Sequence, residues 1–362
     1  MTTAAASRRI RVLIVDDSAI VRQLLTDICA SDPELEVVGT AVDPIIARDK
    51  IKLLSPDVLT LDVEMPRMNG VEFLEKLMRL RPMPVVMVSS LTREGADVTL
   101  RALELGAVDF VAKPLKDLAT TLPALRGEIV AKIKAAARAH IRLTGPRRAA
   151  LPALEPARTT CSAELIAIGA STGGVETITE LLSTFPETIP AVVIVQHMPE
   201  AFVPRFAARL RATLPFAVEE ATDGLPITPG RVLIAPGNQH LQVVRGKGGG
   251  LETRLSNGAP VSGHRPSVDA LFTSVAEAKP KAVGILLTGM GRDGAAGLLR
   301  MKEAGAVTIA QDEQTSTVFG MPRAAQELGA ARLILPLPKI AAAIFTPATA
   351  NEPVSPGSKS GG

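Results

Sequence analysis

Short apolar segments alternate with segments of helical spacing along the first third of the chain. Five apolar segments, RVLIVDD, EVVGTAVD, DVLTLDVEMP, PVVMVSS and AVDFVAKP, are separated by amphipathic stretches such as SAIVRQLLTDICAS. Apolar runs of this length between helices are typical of buried parallel strands in a doubly wound α/β sheet. We therefore predict an N-terminal domain over residues 10–127 with a five-stranded parallel sheet.

A second series of the same kind begins at Ala163. Its apolar segments LIAIGA, AVVIVQH, RVLIAP, AVGILLTG and AVTIAQ alternate with helical patterns such as VDALFTSVAEA. The stretch HLQVVRGKGGGLETRL instead alternates every two residues across a glycine-rich turn, which predicts an antiparallel hairpin. The pattern favours a C-terminal doubly wound α/β domain with an attached hairpin over residues 162–346.

The segments between and after these domains differ in composition. Residues 128–161 begin with a helical pattern and continue as a stretch rich in Pro, Ala and Arg without periodicity, which is typical of a linker. Its excess of basic residues fits either a solvated hinge or an electrostatic guide toward acidic surfaces. Residues 347–362 have the composition of a disordered tail.

Composition narrows the class of protein. The 362 residues suffice for two domains, and no apolar run approaches the roughly eighteen residues of a membrane-spanning helix. Cys29 and Cys161 are too far apart in sequence to give a metal-binding or disulfide spacing. The net charge of +3 is too small to argue for nucleic-acid binding. We expect a cytoplasmic monomer that neither binds nucleic acid nor inserts into membranes.

Polar residues end the predicted strands of the N-terminal domain. In chain order they are Asp16, Asp17, Asp62, Ser89 and Lys113. The carboxyl ends of parallel strands meet at one edge of the sheet, where ligands bind. Three carboxylates there repel one another unless a cation such as Mg²⁺ is present, and the lysine and hydroxyl can hold phosphoryl oxygens. Each acid alone could be a helix cap or a solvated strand end, but together they indicate a magnesium and phosphate site.

The motifs VDDS, LDVEMPRMNG, VSS and AKP give residues 10 to about 125 a resemblance to the receiver domains of two-component response regulators. That resemblance implies a flavodoxin-like fold and phosphoryl transfer from a histidine kinase to Asp62. The implied site residues are the Mg²⁺ ligands Asp16, Asp17, Asp62 and the Glu64 backbone carbonyl, the switch hydroxyl of Ser89, the phosphate partner Lys113 and the rotating aromatic Phe110.

One serine lies where the first strand of the second domain meets its first helix. The string GASTG around Ser171 fits G-x-S-x-G, a turn that presents a nucleophilic serine at a helix N-terminus. A serine in this place is also often a helix cap or part of a phosphate-binding loop. Two further strand ends favour the nucleophile, because His197 and Asp293 supply the base and the carboxylate that activate a serine.

The surroundings of these residues add two observations. The glycines around Met290 suit a turn whose backbone N–H groups form an oxyanion hole. The chain order Ser, His, Asp differs from the Ser, Asp, His order of the α/β-hydrolases. The sequence therefore indicates a serine hydrolase with a different fold.

Across both domains and the linker, the chain resembles the CheB family of chemotaxis receptor protein-glutamate methylesterases. The matching strings are GASTGG, QHMP, PGNQHL, HRPSVDALF and LLTGMGRDGAAG. The resemblance implies a phosphorylation-activated hydrolase that demethylates glutamate methyl esters and deamidates glutamines on chemoreceptor helices, without a metal for hydrolysis. The implied residues are the nucleophile Ser171, the base His197, the orienting acid Asp293, the oxyanion donor at the Met290 backbone, and Thr172, His264 and Arg265 around the cleft.

Two other functions compete with this interpretation. A nucleotide-binding output domain would use GASTGG as a phosphate loop, but the chain has no G-x-G-x-x-G motif with an acidic ribose partner about 20 residues later. A DNA-binding response regulator would need a helix-turn-helix or basic recognition helix, whereas the output region consists of β/α units. Binding of NAD or ATP, or salt-dependent retention on DNA, would favour these alternatives.

Overall fold

A computed structural model describes residues 8–65, 68–90, 92–113, 122–141 and 159–347. In the N-terminal domain, five parallel strands lie in the order β2-β1-β3-β4-β5, as predicted. The strands are β1 (Ile10–Val15), β2 (Leu35–Ala41), β3 (Val58–Asp62), β4 (Val85–Ser90) and β5 (Asp109–Lys113). The helices are α1 (Ala19–Ala30), α2 (Pro44–Leu54), α3 (Gly70–Leu80), α4 (Arg93–Glu104) and, after the sheet, α5 (Arg126–Ala137).

Polar caps fix where the first four helices begin. The capping residues are Ser18, Asp43, Asn69 and Thr92, and each side-chain oxygen accepts a hydrogen bond from the N–H three residues later. Each bond satisfies a backbone donor that the first helical turn leaves unpaired. Because the caps follow the carboxyl ends of the strands, they also fix the loops that carry the acidic residues.

The C-terminal domain has a seven-stranded parallel sheet in the order β15-β14-β13-β7-β8-β10-β9, with a separate antiparallel hairpin of β11 and β12. The strands are β7 (Leu165–Ala170), β8 (Ala191–Gln196), β9 (Ala217–Glu220), β10 (Arg231–Ile234), β11 (His240–Arg245), β12 (Leu251–Ser256), β13 (Ala282–Leu286), β14 (Val307–Gln311) and β15 (Leu333–Leu335). The helices are α6 (Gly174–Ser183), α7 (Val203–Thr213), α8 (Val268–Ala278), α9 (Ala295–Glu303), α10 (Met321–Glu327) and α11 (Leu337–Ile344). The hairpin is confirmed, whereas the edge strands β9 and β15 were not predicted.

Strand β7 organises this domain. All six of its residues are buried, and it pairs with β8 on one side and with β13 on the other. The loops that follow these three neighbouring strands therefore meet at one edge of the sheet. They carry Ser171, His197 and Asp293.

Two short strands, β6 (Thr159–Thr160) and β16 (Thr346–Pro347), pair antiparallel and join the beginning of this domain to its end. Residues 142–158 of the predicted linker and residues 348–362 of the predicted tail lie outside the described residues. Within the described part of the chain, no helix is both long enough and apolar enough to cross a membrane.

Candidate active site and phosphate site

The turn after β7 sets the position of Ser171. The Ser171 N–H donates to the Thr288 carbonyl at 3.0 Å, which ties the turn to the loop after β13. Gly173 has φ of 76°, and a Cβ added there would lie 2.5 Å from the Thr317 Cβ. Glycine is therefore required for this sharp entry into α6, with Ser171 at the carboxyl edge of the sheet.

Gln196, at the end of β8, connects Ser171 to His197. Its side-chain Nε2 donates to the Ser171 carbonyl at 2.9 Å and to the His197 carbonyl at 3.1 Å. The His197 N–H in turn donates to the Ala170 carbonyl at 3.1 Å. The backbone positions of serine and histidine are thus fixed relative to each other. Sequence reasoning missed Gln196, although a polar residue ending the apolar run AVVIVQ was a signal.

The His197 ring is oriented by Asp293. Its Nε2 lies 2.8 Å from Asp293 Oδ2, while its Nδ1 is buried without a hydrogen-bond partner among the described residues. Burial disfavours the ionised carboxylate, but the hydrogen bond and charge of His197, together with the Asp269 N–H, hold the pKa of Asp293 below its usual value. An ionised Asp293 therefore holds the ring with Nδ1 available to accept a proton.

The backbone at Met290 passes beside the nucleophile. A Cβ added at the preceding Gly289 would lie 2.8 Å from the Ser171 Cβ, so the two segments are in close contact. Within the described chain, the Met290 N–H has no hydrogen-bond acceptor. A free N–H next to a serine is suited to stabilise the oxyanion that forms during acyl transfer.

His264 stacks on the catalytic-base candidate. The rings of His197 and His264 have centroids 3.9 Å apart and are inclined by 14°. Burial, and then the charge of His197, lower the pKa of His264 to about 4. His264 is therefore neutral near pH 7 and packs against His197 without charge repulsion. Arg265 lies further out, where its guanidinium donates to the Asn238 side chain at 2.8 Å.

The N-terminal domain contacts this site directly. The Thr172 hydroxyl, next to the nucleophile, donates to the Asp109 carboxylate of β5. Phe110 is 4 % exposed and stacks on Phe202, with ring centroids 4.4 Å apart. Asp109, Phe110 and Ser171 line the same interdomain cleft. Phe110, predicted as a switch residue, thus lies against the other domain.

Charged residues border this contact. Arg209 of α7 pairs with Glu104 of α4, and Arg205 lies 3.4 Å from Asp97. Lys132 of α5 lies 3.6 Å from Asp109 and donates to the Phe110 carbonyl at 2.6 Å. Burial opposes the charged amine, yet Asp109 and Glu128 raise the pKa of Lys132. Among the described residues, the interface therefore combines an aromatic stack with two ion pairs between the domains.

The residues of the predicted magnesium site lie together at the carboxyl edge of the N-terminal sheet. Carboxylate oxygens of Asp16, Asp17 and Asp62 lie within 4.8 Å of one another. Lys113 Nζ lies 2.8 Å from an oxygen of Asp16 and 2.8 Å from one of Asp62. Burial raises the pKa of Asp62 to about 6, Lys113 opposes that shift, and Asp16 adds to it. Three close, hard oxygen donors with one shared lysine fit a divalent cation.

The remaining predicted residues of the phosphate site lie nearby. Ser89 is fully buried at the end of β4, and its hydroxyl lies 3.3 Å from the Gly95 carbonyl, to which it donates. The Glu64 N–H donates to Asp62 Oδ1 at 3.3 Å. The strand register places Ser89 beside Ala112, the neighbour of Lys113. The edge therefore brings together the hydroxyl, the lysine and the carboxylates.

Comparison with known proteins covers both domains. Residues 12–122 match the family described as response regulator receiver domain, and residues 166–344 match the family described as CheB methylesterase. The chain is 58% identical over 327 residues to a protein-glutamate methylesterase/protein-glutamine glutaminase 1 of Caulobacter vibrioides, covering 89% of this chain and 93% of that protein.

Two further relatives carry similar names. The protein-glutamate methylesterase/protein-glutamine glutaminase 1 of Xanthomonas euvesicatoria pv. vesicatoria is 53% identical over 342 residues, covering 92% of this chain and 95% of that protein. The protein-glutamate methylesterase/protein-glutamine glutaminase 2 of Bordetella avium is 54% identical over 341 residues, covering 93% of this chain and 97% of that protein. The similarity thus extends across both domains and their connection.

Proposed function

Because the chain belongs to the CheB family of protein-glutamate methylesterases/protein-glutamine glutaminases, we propose that Ser171, His197 and Asp293 form its catalytic triad. The enzyme is regulated by its receiver domain and acts in chemotaxis adaptation. The observation that carries the triad is the His197 ring, which contacts Asp293 through Nε2 and leaves Nδ1 without a partner among the described residues.

The proposed reaction follows from this geometry. Ser171 Oγ attacks the γ-carbonyl of a glutamate methyl ester while His197 Nδ1 takes its proton. The Met290 N–H stabilises the oxyanion, and His197 then protonates the departing methoxide to give methanol. Water, deprotonated by His197, hydrolyses the acyl-enzyme and restores Ser171. A glutamine substrate follows the same steps with ammonia as the leaving group.

Phosphoryl transfer is proposed to take place at the carboxyl edge of the receiver sheet. A histidine kinase is the phosphodonor that a receiver domain implies, and Asp62 is the proposed acceptor. Asp16, Asp17, Asp62 and the Glu64 carbonyl would hold Mg²⁺, which would offset the repulsion between the carboxylates and the incoming phosphoryl group. Lys113 and Ser89 would bind the phosphoryl oxygens.

Regulation is proposed to act through docking of the two domains. The contacts of Asp109 with Thr172 and of Phe110 with Phe202 place the receiver against the nucleophile turn. A docked receiver would restrict access of a receptor helix to Ser171. Phosphorylation at Asp62 would then shift the docking equilibrium and leave the triad geometry unchanged.

Several further properties belong to the same proposal. The substrates are chemoreceptor helices, and the enzyme is a cytoplasmic monomer. The proposed units are a receiver at 10–127, a linker at 128–161, a catalytic domain at 162–346 and a tail at 347–362. Sedimentation at several protein concentrations would test the monomeric state.

Methanol release from methylated receptor, with phosphodonor and Mg²⁺, tests the function. Ser171→Ala should lose several orders of magnitude in rate, whereas Ser183→Ala should remain normal, because Ser183 is exposed at the far end of α6, the helix that follows the Ser171 turn. Asp62→Asn should accept no label from phosphodonor and keep its basal esterase rate. Near-normal methanol release by Ser171→Ala would contradict the proposed nucleophile.

A further inference from the structure

Asp293 is held by the first turn of helix α8. Its Oδ1 accepts hydrogen bonds from the Ser267 hydroxyl at 2.7 Å and the Asp269 N–H at 3.0 Å. Its Oδ2 accepts from the Val268 N–H at 2.8 Å and contacts His197 Nε2 at 2.8 Å. Asp293 is 1 % exposed, so protein groups take the place of water around the carboxylate. The direction in which Oδ2 meets His197 is therefore set by two backbone N–H groups and by the Ser267 hydroxyl, the one side-chain donor among them.

Ser267 supplies a side-chain donor to Oδ1. It is fully buried, caps α8, and its Oγ also accepts from the Ala270 N–H at 3.3 Å. Since that N–H can only donate, the hydroxyl hydrogen of Ser267 is free to point at Asp293. A single residue thus joins the start of the helix to the carboxylate.

The backbone of Ser267 is fixed from the other side by His240 of the hairpin. The Ser267 N–H lies 3.2 Å from His240 Nδ1, and His240 Nε2 lies 3.0 Å from the Ala259 carbonyl. An N–H donor at Nδ1 and a carbonyl at Nε2 select the neutral imidazole with its proton on Nε2. His240 is 3 % exposed. The hairpin and α8 therefore hold the serine from two directions.

We propose that Ser267 is a positioning residue for the hydrolysis, whose hydroxyl holds Asp293 in the orientation that directs His197 toward Ser171. The inference rests on the proposed triad. Without this donor, Asp293 keeps the Val268 and Asp269 N–H groups but loses its strongest contact at Oδ1, so the carboxylate is held less tightly in the plane that faces His197 Nε2. The expected result is slower proton transfer with unchanged substrate binding.

Kinetics of the full-length enzyme with phosphodonor and Mg²⁺ test the role of Ser267. Ser267→Ala should lower kcat for methanol release roughly tenfold or more, the usual effect of losing a hydrogen bond to a charged group, with KM unchanged. Ser267→Thr retains the hydroxyl and should recover most of the rate. The reaction of Ser171 with a sulfonyl fluoride should slow in Ser267→Ala to the same extent.

Ser267→Gly separates positioning from helix capping. Glycine at a helix cap costs only a few tenths of a kcal/mol relative to serine, yet it removes the donor as alanine does. We expect the glycine variant to be as slow as the alanine variant. A glycine variant with the wild-type rate would overturn the proposal and assign the alanine effect to capping.

Ser274→Ala is the matched control. Ser274 is a buried serine on α8 whose hydroxyl donates to the Leu271 carbonyl and accepts from the Val243 N–H, away from the triad. Its substitution should leave kcat unchanged. An equal loss of kcat in Ser274→Ala, or a normal kcat in Ser267→Ala, would overturn the proposal. Activity retained by Ser171→Ala would instead reject the triad itself.

Discussion

Asp62 and Asp293 are both aspartates at the carboxyl edge of a parallel sheet, and the protein treats them in opposite ways. Their exposed fractions are 3 % and 1 %, so burial alone does not distinguish them. Burial raises the pKa of Asp62 to about 6, with further repulsion from Asp16. For Asp293, burial is outweighed by His197 and backbone donors, and its pKa is lowered.

The difference in pKa between the two carboxylates reflects their different roles. Asp62 shares a single lysine with Asp16, so its charge is incompletely compensated until a cation or a phosphoryl group arrives. Asp293 has its partners within the protein, at α8 and His197. A group that is left unsatisfied can be modified, whereas a group that is fully bonded can only orient its neighbours. The receiver edge is thus suited to bind a cation and accept a phosphoryl group, whereas the catalytic edge holds its side chains in one arrangement.

The largest effect is expected from neutralising Asp293. Asp293→Asn should lower kcat for methanol release by about 10⁴-fold, because an amide stabilises the wrong histidine tautomer. Asp269→Asn is the control, since the Asp269 carboxylate lies beside Asp293 and accepts hydrogen bonds from Ser262 and the Gly297 N–H, but has no hydrogen bond to His197. It should change kcat by no more than a few-fold. Equal losses in both variants would remove the distinction between an orienting carboxylate and any buried one.

A moderate effect is expected from a substitution at the interface between the two domains. Glu104→Arg places a like charge against Arg209 and should raise methanol release of the unphosphorylated enzyme roughly two- to fivefold, the range for an exposed ion pair. Adding Arg209→Glu should restore the low rate. If Glu104→Arg instead lowers the rate of the unphosphorylated enzyme, the docked receiver assists catalysis. The catalytic site would then depend on the receiver for its activity.

A smaller effect concerns His264. Its pKa of about 4 lies below the 6.5 of an ordinary histidine, so the unfolded chain binds more protons between those values. This group therefore contributes stability above about pH 6.5 that is lost as the pH falls toward 4. His264→Phe keeps a ring against His197 and should flatten the decrease in melting temperature between pH 7 and 5. An unchanged decrease would show that the pKa of His264 is the same in the folded and the unfolded protein and would contradict this account.

Much of the architecture could be predicted because both domains follow a simple rule of buried strands between amphipathic helices. The edge strands β9 and β15 escaped prediction for a physical reason. Strand β9 has four residues with two glutamates, and Leu333 and Ile334 of β15 are 37 % and 42 % exposed. Neither strand is buried on both faces, so neither shows the continuous apolar run that marks the central strands.

Residues at strand ends could also be predicted, because a parallel sheet brings those ends together. His197 and Asp293 are 96 positions apart in the chain and still meet at 2.8 Å. The stacking of His264 on His197 and the contact of Thr172 with Asp109 depend on loop paths and domain docking. No spacing in the sequence encodes those, so the geometry of the interface required the structure.

The most direct test of the contrast compares the stability of two variants at pH 7 in EDTA by differential scanning calorimetry. A raised pKa means that ionised Asp62 destabilises the fold as the pH rises through about 6, so Asp62→Asn should stabilise its domain by about 1–2 kcal/mol. A lowered pKa means that ionised Asp293 stabilises the fold above its usual pKa, so Asp293→Asn should destabilise its domain by about 1–3 kcal/mol. Shifts of opposite sign are predicted. Shifts of the same sign in both domains would contradict the distinction between the two edges.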